Sequence, residues 1–201
     1  MPDKLVRICG FEPFSGRSVN RSWQAVERLA GSKDWDLREL PVDFARLAEL
    51  VPELLSDDPD LLLLCGERPG SRLGVEAIAL NVAHARSPDN QGKRPKGAAL
   101  APDGPVAYRS IWDAPKVVDR LIGAGVPAEL SHHAGTFACN AALYLALHTA
   151  TSRAHATGQA PPPIGFLHVP RRKWPLAPSL TRLTSAIEIC VLTMSEGWAN
   201  C

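Results

Sequence analysis

The amino-acid sequence predicts a single α/β domain over residues 1–201, in which a mostly parallel twisted sheet carries helices on both faces in three α/β/α layers. Apolar runs of strand length alternate with helical patterns along the whole chain, as such a fold requires. No internal repeat and no linker-like stretch divides the sequence. A chain of 201 residues is also long enough to bury a full core without metal or disulfide staples.

Strands are predicted from short apolar or alternating runs that end at Gly or Pro. The clearest run, residues 60–65, lies between Pro59 and Gly66 and contains LLLLC, which is typical of a strand buried on both faces. Weaker patterns predict strands at residues 5–9, 35–40, 74–85, 128–131 and 164–169. Residues 86–110 are rich in Gly and Pro and predict a long loop, whose length indicates a functional loop or an undetected hairpin.

Helices are predicted where apolar residues recur at helical spacing behind a capping residue. Ser22 is the predicted cap of the first helix and Asp43 that of the second, in which Pro52 should cause a bend or a break. Further helices are expected around residues 117–122, where Gly123 ends the pattern, from residue 139 onward, and around residues 180–194.

The charge and the cysteine content exclude several classes of protein. The sequence has 22 Lys and Arg residues and 21 Asp and Glu residues, so its net charge is only +1. It therefore has no excess of basic residues that would indicate binding to a nucleic acid or to a membrane surface. No apolar run approaches the roughly 18–20 residues that span a bilayer, and the N-terminal apolar stretch is too short to predict a signal peptide. The five cysteines are widely spaced and form neither a disulfide framework nor a metal motif. We therefore expect a cytoplasmic protein that uses no metal and no cofactor.

Three residues are of interest on chemical grounds. Cys139 follows a turn of small residues at the start of a predicted helix, where the helix N-terminus favours a thiolate. His168 lies near the end of a predicted strand, and Glu76 is an acid in a mainly apolar segment. Each also has a structural interpretation, as a buried thiol, a hydrogen-bonded histidine or a salt-bridged acid. Together they form the set that nucleophilic acyl transfer requires, although spacing alone does not show that they meet.

Four sequence blocks surround these residues. In chain order they are GFEPFSG (residues 10–16), EAIALN (76–81), AGTFACN (134–140) and GFLHVP (165–170). Their content and order resemble the type I pyroglutamyl peptidases, or pyrrolidone-carboxylate peptidases, which are C15 cysteine peptidases. The resemblance covers roughly residues 7–170. It implies an exopeptidase that hydrolyses the bond after an N-terminal pyroglutamyl residue of peptides, and it implies a homodimer or homotetramer.

The resemblance also implies roles for individual residues. Cys139 is expected to be the nucleophile, His168 the base, and Glu76 the acid that orients His168. Arg86 is expected beside the active site, where its guanidinium or nearby backbone would help the Cys139 N–H to hold an oxyanion. The residues expected to bind substrate are Phe11, Phe14, Asn20, Glu67, Arg86 and Phe137. Among them, the three phenylalanines are expected to line the pocket for the pyroglutamyl ring.

The sequence departs from the family pattern at several other positions. Ser87 replaces a usual aliphatic pocket residue. His132 and His133 replace a small polar pair, and adjacent histidines on a strand point to opposite faces, so they form no metal motif. The basic residues 171–173 after the histidine block are expected to form a solvated loop.

Glu67 stands where the family usually has Gln, at a position that contacts the lactam. We expect its side chain near the mouth of the pocket, on a loop kept mobile by Gly66 and Gly70. A carboxylate offers the lactam no donor, so Glu67→Gln is expected to improve substrate affinity roughly 2- to 10-fold. If backbone groups hold the lactam instead, KM should barely change.

Two other functions remain open at this stage. Glu67 and Ser87 leave room for an amidase that acts on another small lactam or acyl group. A non-catalytic binding protein on the same fold is the second alternative, and the presence of Glu76, Cys139 and His168 argues against it.

Overall fold

The computed structural model describes residues 4–31, 33–171 and 177–196. Its strands are β1 (Val6–Phe11), β2 (Asp36–Leu40), β3 (Leu61–Arg68), β4 (Leu73–Glu76), β5 (Ile78–Leu80), β6 (Ala83–His84), β7 (Lys96–Ala98), β8 (Ala107–Arg109), β9 (Ala128–Ser131) and β10 (Ile164–Pro170). Its helices are α1 (Arg21–Glu27), α2 (Phe44–Glu53), α3 (Ala114–Gly123), α4 (Ala138–Thr157) and α5 (Leu180–Ser195). Arg172 and Lys173 of the predicted basic loop lie outside the described residues. No helix in the described ranges has the length and apolar character needed to cross a membrane.

Six strands form the central sheet in the order β2-β1-β3-β10-β4-β9. All neighbours in it are parallel except β10 and β4. Helices α2 and α4 cover one face, and α1, α3 and α5 cover the other. The four leucines that open β3 are fully buried because helices cover this central strand on both sides. The predicted α/β fold with a mostly parallel sheet is therefore confirmed.

Residues 77–110, which we call the connecting segment, contain more strand than the sequence pattern predicts. The predicted strand of residues 74–85 is divided into β4, β5 and β6, and the predicted loop contains β7 and β8. Strand β8 pairs antiparallel with β5, and β7 pairs antiparallel with β6. These strands are only two or three residues long and their partners are distant in sequence, so no local pattern marks them.

Side-chain amides hold the connecting segment together. The Asn81 side-chain oxygen accepts hydrogen bonds from the N–H groups of Leu100 (2.8 Å) and Ala101 (3.0 Å), and its amino group donates to the carbonyl of Ala101. The two ends of the segment also meet, because the Ser110 N–H donates to the Ala77 carbonyl at 2.9 Å. The segment is thus closed on itself with little regular secondary structure.

Of the two predicted helix caps, the cap of α1 differs from the structure. Asn20, not Ser22, is the cap, since its side-chain oxygen accepts a hydrogen bond from the Ser22 N–H at 3.0 Å. Asp43 caps α2 as predicted. Pro52 lies in the last turn of α2, and the helix ends one residue later. The absent N–H of Pro52 therefore marks the helix end and does not interrupt the helix.

Asn140 joins the first turn of α4 to the connecting segment. It is fully buried, and its side-chain oxygen accepts a hydrogen bond from the Leu80 N–H at 2.8 Å. Its amino group donates to the carbonyls of Leu80 (2.9 Å) and Val82 (3.1 Å). One amide thereby bonds to three backbone groups at the end of β5 and just beyond it.

Asn140→Ala is expected to lower the free energy of unfolding by about 1–3 kcal/mol, because it leaves the partly buried Leu80 N–H and Val82 carbonyl without their side-chain partner. Urea denaturation should show a lower midpoint at an unchanged m value. Ser152→Ala, at an exposed position of the same helix, is the matched control and should change stability by less than about 0.5 kcal/mol. Equal stabilities of the two variants would contradict this account of Asn140.

Candidate active site

A cavity of about 350 Å³ opens at the carboxyl ends of β1, β3 and β10, beside the first turn of α4. In α/β sheets this edge is where functional residues gather. The cavity is lined by Phe11, Phe14, Asn20, Val42, Glu67, Arg68, Pro69, Glu76, Ser131, His133, Ala134, Gly135, Thr136, Phe137, Ala138, Cys139, His168 and Arg171. A second cavity of about 430 Å³, around Asp58 and Arg153, is lined by neither cysteine nor histidine.

Cys139 lies in the first turn of α4, half-buried in the cavity wall. The chain turns into this helix at Gly135 (φ +82°), whose N–H donates to His133 Nδ1 at 3.1 Å. The cysteine sulfur lies over Gly66 of β3, where a Cβ atom would be only 2.8 Å from Sγ. Glycine at this strand position therefore makes room for the thiol.

His168 and Glu76 lie next to that sulfur. In the sheet His168 is the register partner of Gly66, over which the sulfur lies. His168 also pairs with Gly74 across the antiparallel strands β10 and β4. Glu76 is two residues beyond Gly74, so the two side chains are diagonal neighbours on one face. His168 Nδ1 lies 2.6 Å from Glu76 Oε1. The structure thus brings the three predicted catalytic residues together.

The Glu76 carboxylate is buried, with Oε1 against His168 and with no hydrogen-bond partner for Oε2 among the described residues. Burial opposes its ionisation, but the hydrogen bond and the electrostatic interaction with the His168 ring outweigh burial and lower the pKa of Glu76 below its usual value. Since a carboxylate can only accept, His168 carries a proton on Nδ1 and keeps Nε2 as the basic nitrogen. The Glu76 backbone carbonyl accepts hydrogen bonds from Ser110 Oγ (2.9 Å) and Trp112 Nε1 (3.0 Å), which fix the end of β4.

The protonation state of Cys139 differs from the sequence-based expectation. Burial raises the pKa of the Cys139 thiol to about 12, and the charge of Glu76 acts in the same direction. The backbone N–H at the helix start lowers this pKa, but by less. The expectation of a stabilised thiolate is therefore wrong, because loss of hydration outweighs the helix terminus. The resting side chain is a neutral thiol that must lose its proton as it attacks.

Aromatic rings form the cavity wall on the side of β1. The rings of Phe14 and Phe137 lie 6.0 Å apart, and Phe44 of α2 meets Phe137 edge-on at 5.5 Å. Phe11 is buried at the end of β1, and Val42 follows the end of β2. The three phenylalanines predicted for the ring pocket thus line one cavity. Val42 was not predicted, although an apolar residue just after a predicted strand was the signal that could have found it.

Comparison with known proteins identifies the family. The family described as pyroglutamyl peptidase matches residues 4–179. A pyrrolidone-carboxylate peptidase of Pseudomonas fluorescens (strain SBW25) is 40% identical over 177 residues, which cover 83% of this chain and 78% of that protein. The chain belongs to the pyroglutamyl peptidase family. A second family member, from Escherichia fergusonii, is 36% identical over 203 residues, which cover 94% and 92% of the two chains.

Solved structures of the pyroglutamyl peptidase family share the fold. The crystal structure of pyroglutamyl peptidase I from Bacillus amyloliquefaciens has a TM-score of 0.86 and 32% identity, covering 96% of each chain. A mutant pyrrolidone carboxyl peptidase from the hyperthermophile Pyrococcus furiosus has a TM-score of 0.84 and 31% identity, covering 96% of this chain and 98% of that one. The match therefore extends over nearly all of the chain.

Glu67 lines the cavity of the three phenylalanines, as the sequence suggested, but its setting differs from the expected loop. It belongs to β3 and not to a mobile loop, and its side chain is only 1% exposed. It lines the cavity, but its carboxylate accepts hydrogen bonds from the Arg17 guanidinium and from the Arg21 N–H (2.6 Å). Arg17 also lies 4.4 Å above the centre of the Phe14 ring. Arg17 is distant from Glu67 in sequence, so this ion pair could not be read from the pattern.

Two of the predicted substrate-binding residues, Asn20 and Arg86, have surroundings that differ from a substrate-binding position. Asn20 lines the cavity, but its oxygen caps α1 and its amino group donates to the Glu12 carbonyl at 2.9 Å. Arg86 and Ser87 are exposed and are not among the described residues that line the cavity. The structure therefore does not bring Arg86 to the lining of the site.

Several polar residues of the cavity were missed from sequence. Ser131 ends β9 as the register partner of Glu76, and its place at the carboxyl end of a strand was a usable signal. Arg68 and Arg171 follow the buried parts of neighbouring strands. His133 closes the turn before Cys139 and belongs to no metal cluster, since the described part of the chain contains no group of three ligating side chains suited to a metal ion.

The ion pair of Arg17 and Glu67 is expected to control substrate affinity. Either single substitution, Arg17→Gln or Glu67→Gln, should raise the KM for a pyroglutamyl substrate about 3- to 10-fold, because each leaves one charge without its partner beside the pocket. In the double variant the two amides can bond to each other, so KM should return to within about threefold of its original value.

The expected effect of Glu67→Gln is thus opposite in sign to the expectation from sequence. Arg46→Gln, which removes an exposed ion pair with Glu49 on α2, is the control and should leave KM unchanged. A lower KM for Glu67→Gln alone, or additive losses in the double variant, would show that the ion pair does not hold the pocket.

Proposed function

We propose that this chain is a cysteine exopeptidase that removes an N-terminal pyroglutamyl residue from peptides through a covalent acyl-enzyme. The observation that carries the proposal is the 2.6 Å hydrogen bond between His168 and Glu76 beside Cys139, at the edge of an aromatic cavity. The names and the similarity of the relatives support the same substrate. In this proposal Cys139 is the nucleophile, His168 the general base and acid, and Glu76 the group that orients His168.

The acylation step follows from the protonation states at the site. His168 Nε2 takes the thiol proton as Cys139 Sγ attacks the carbonyl carbon of the pyroglutamyl residue. Glu76 stabilises the imidazolium that forms, without taking its proton. When the tetrahedral intermediate collapses, the C–N bond breaks and His168 gives its proton to the leaving amine. A thioester on Cys139 remains.

Hydrolysis of the thioester uses the same base. A water molecule gives a proton to His168 and attacks the acyl carbon, the C–S bond breaks, and the proton returns to the Cys139 sulfur. We assign the oxyanion of both intermediates to the first turn of α4, because the N–H groups there have no partner within the helix. The Cys139 N–H is the donor that we assign to it, and Arg86 is not needed.

The cavity suits a pyroglutamyl ring because of the groups that line it and the hydration that a ligand loses there. The ring is a neutral lactam with two apolar faces and one amide edge, so aromatic walls can bury its faces while few polar groups meet its edge. An open-chain glutamyl residue would bring an ammonium and a carboxylate into the same cavity. Burying such charges without partners costs several kcal/mol, which excludes ordinary N-termini.

An assay with a pyroglutamyl coumarylamide distinguishes the proposed function from the two alternatives. Hydrolysis that thiol alkylation abolishes supports the proposal. Binding of pyroglutamate without turnover would indicate the non-catalytic binding protein, and turnover only of other small lactam amides would indicate the amidase. Glu67 gives the amidase little support, because its carboxylate is engaged by Arg17.

Location and assembly form part of the same proposal. The described cysteines Cys9, Cys65, Cys139 and Cys190 are all free, which is in keeping with a reducing cytoplasm. A homodimer or homotetramer remains a prediction from the resemblance to the family. Sedimentation velocity at micromolar concentration would distinguish these assemblies from a monomer.

Cys139→Ser is expected to preserve the fold and to lower kcat/KM by at least about a thousandfold, because the hydroxyl is a poor nucleophile next to this base. The thermal unfolding midpoint should stay close to that of the wild type, since the volume change is small. Cys190→Ser, in the core away from the cavity, controls for loss of a thiol as such. A Cys139→Ser variant of unchanged activity would exclude the mechanism.

Alkylation of Cys139 by iodoacetamide should accelerate continuously between about pH 7 and pH 10. With the pKa of the thiol raised to about 12, the reactive thiolate is a minor form that grows roughly tenfold per pH unit over this range. The rate measured with Cys139→Ser is subtracted as the background from other cysteines. A plateau reached near pH 7 would mean that the resting enzyme already holds a thiolate.

A further inference from the structure

The parts of the proposed active site follow one another across the sheet. The aromatic pocket lies at the ends of β1 and β2, and the Cys139 sulfur lies over Gly66 of β3. His168 on β10 and Glu76 on β4 come next. With the pyroglutamyl ring in the aromatic pocket, the leaving amine lies beside His168, which protonates it. The departing peptide therefore extends toward β4 and β9.

Arg68 occupies this leaving-group side of the cavity. It ends β3, and its guanidinium lies against Gly74 of β4, where a Cβ atom would be 2.6 Å from Cζ. One of its terminal nitrogens pairs with Glu129 of β9. Its Nε is buried and has no hydrogen-bond partner among the described residues. The rest of the guanidinium is partly exposed where Arg68 lines the cavity, so its charge acts on a ligand that enters there.

Arg171 extends the same positive surface. Its backbone N–H donates to the Arg68 carbonyl at 2.9 Å, which holds the two residues side by side at the strand ends. Its side chain is exposed and lines the cavity. Within the described ranges, no carboxylate forms an ion pair with it.

The acidic groups of the cavity offset this charge only in part. The carboxylates of the described lining residues belong to Glu67, which pairs with Arg17, and to Glu76, which binds His168 and also interacts electrostatically with Arg68. Glu129, the partner of Arg68, lies outside the lining and is half exposed. The leaving-group side therefore presents two guanidinium groups to whatever follows the scissile bond.

We propose that Arg68 and Arg171 form a cationic subsite that favours peptides with a carboxylate on the residue after the pyroglutamyl group. That carboxylate is either an acidic side chain or, in a pyroglutamyl dipeptide, the C-terminus. Guanidinium groups bind carboxylates through charge-assisted and often paired N–H bonds. The inference rests on the proposed function, because it specifies which pyroglutamyl peptides the same site prefers.

Two matched substrate pairs test the subsite and separate the two sources of carboxylate. Pyroglutamyl-glutamate amide against pyroglutamyl-glutamine amide varies only the side-chain charge. Pyroglutamyl-glutamine with a free C-terminus against its amide varies only the terminal charge. At least one pair should show about a three- to fivefold higher kcat/KM for the charged member at low ionic strength. The ratio should fall toward one in roughly 0.5 M salt, because the exposed Arg171 is screened.

Variants of the subsite should lower the same ratio. Arg171→Gln removes an exposed charge with little risk to folding. Arg68→Gln removes the guanidinium that lies against Gly74. Arg120→Gln, an exposed arginine on α3 at the opposite face of the sheet, is the matched control and should leave the ratio unchanged. A ratio at or below one in both pairs, or one that neither subsite variant lowers, would overturn the proposal.

The outcomes also separate this inference from the proposed function. Absence of any hydrolysis of a pyroglutamyl coumarylamide would mean that the proposed function fails. Hydrolysis of that substrate together with equal rates within both peptide pairs would mean that only the cationic subsite fails.

Discussion

The hydrogen bond between Glu76 and His168 exists because β4 runs against β10 in an otherwise parallel neighbourhood. Because the two strands run in opposite directions, Glu76 at the end of β4 lies diagonally across from His168, so an acid and a histidine meet on one sheet face. Two glycines make the arrangement possible, since Gly66 leaves space for the sulfur and Gly74 for a guanidinium. The chemistry of the site thus depends on the direction of β4 and on glycine at these two positions.

Much of the fold was readable from the sequence because its signals are local. The apolar run of β3, the cap of α2 and the glycine that ends α3 each determine structure within a few residues. The weak points were elements whose stability comes from distant partners. Strands β5 to β8 pair across the connecting segment, and the cap of α1 also holds the carbonyl of Glu12.

The residues of the site could be predicted from the sequence, but their burial, protonation states and ion pairs could not. Cys139, His168 and Glu76 could be named from residue types and from the resemblance to a family. The raised pKa of the Cys139 thiol arises from burial, which no short motif reports. The pairing of Glu67 with Arg17, and the exposure of Arg86 away from the cavity lining, are consequences of tertiary contacts. Electrostatics is decided by neighbours in space, so it is the last property that a sequence reveals.

The connecting segment has a bearing on how this protein loses activity. It meets the acid at Ser110, the nucleophile helix at Asn140 and, through the Asn90 amide on Glu12 and Pro13, the loop that carries Phe14. Its order comes from a few amide hydrogen bonds, from short strands and from a few side chains such as Ala79 and Ala101 that reach the main core. Local opening of such a region needs less free energy than global unfolding. Local opening of the connecting segment would therefore disturb all three parts of the site together while the sheet is still folded.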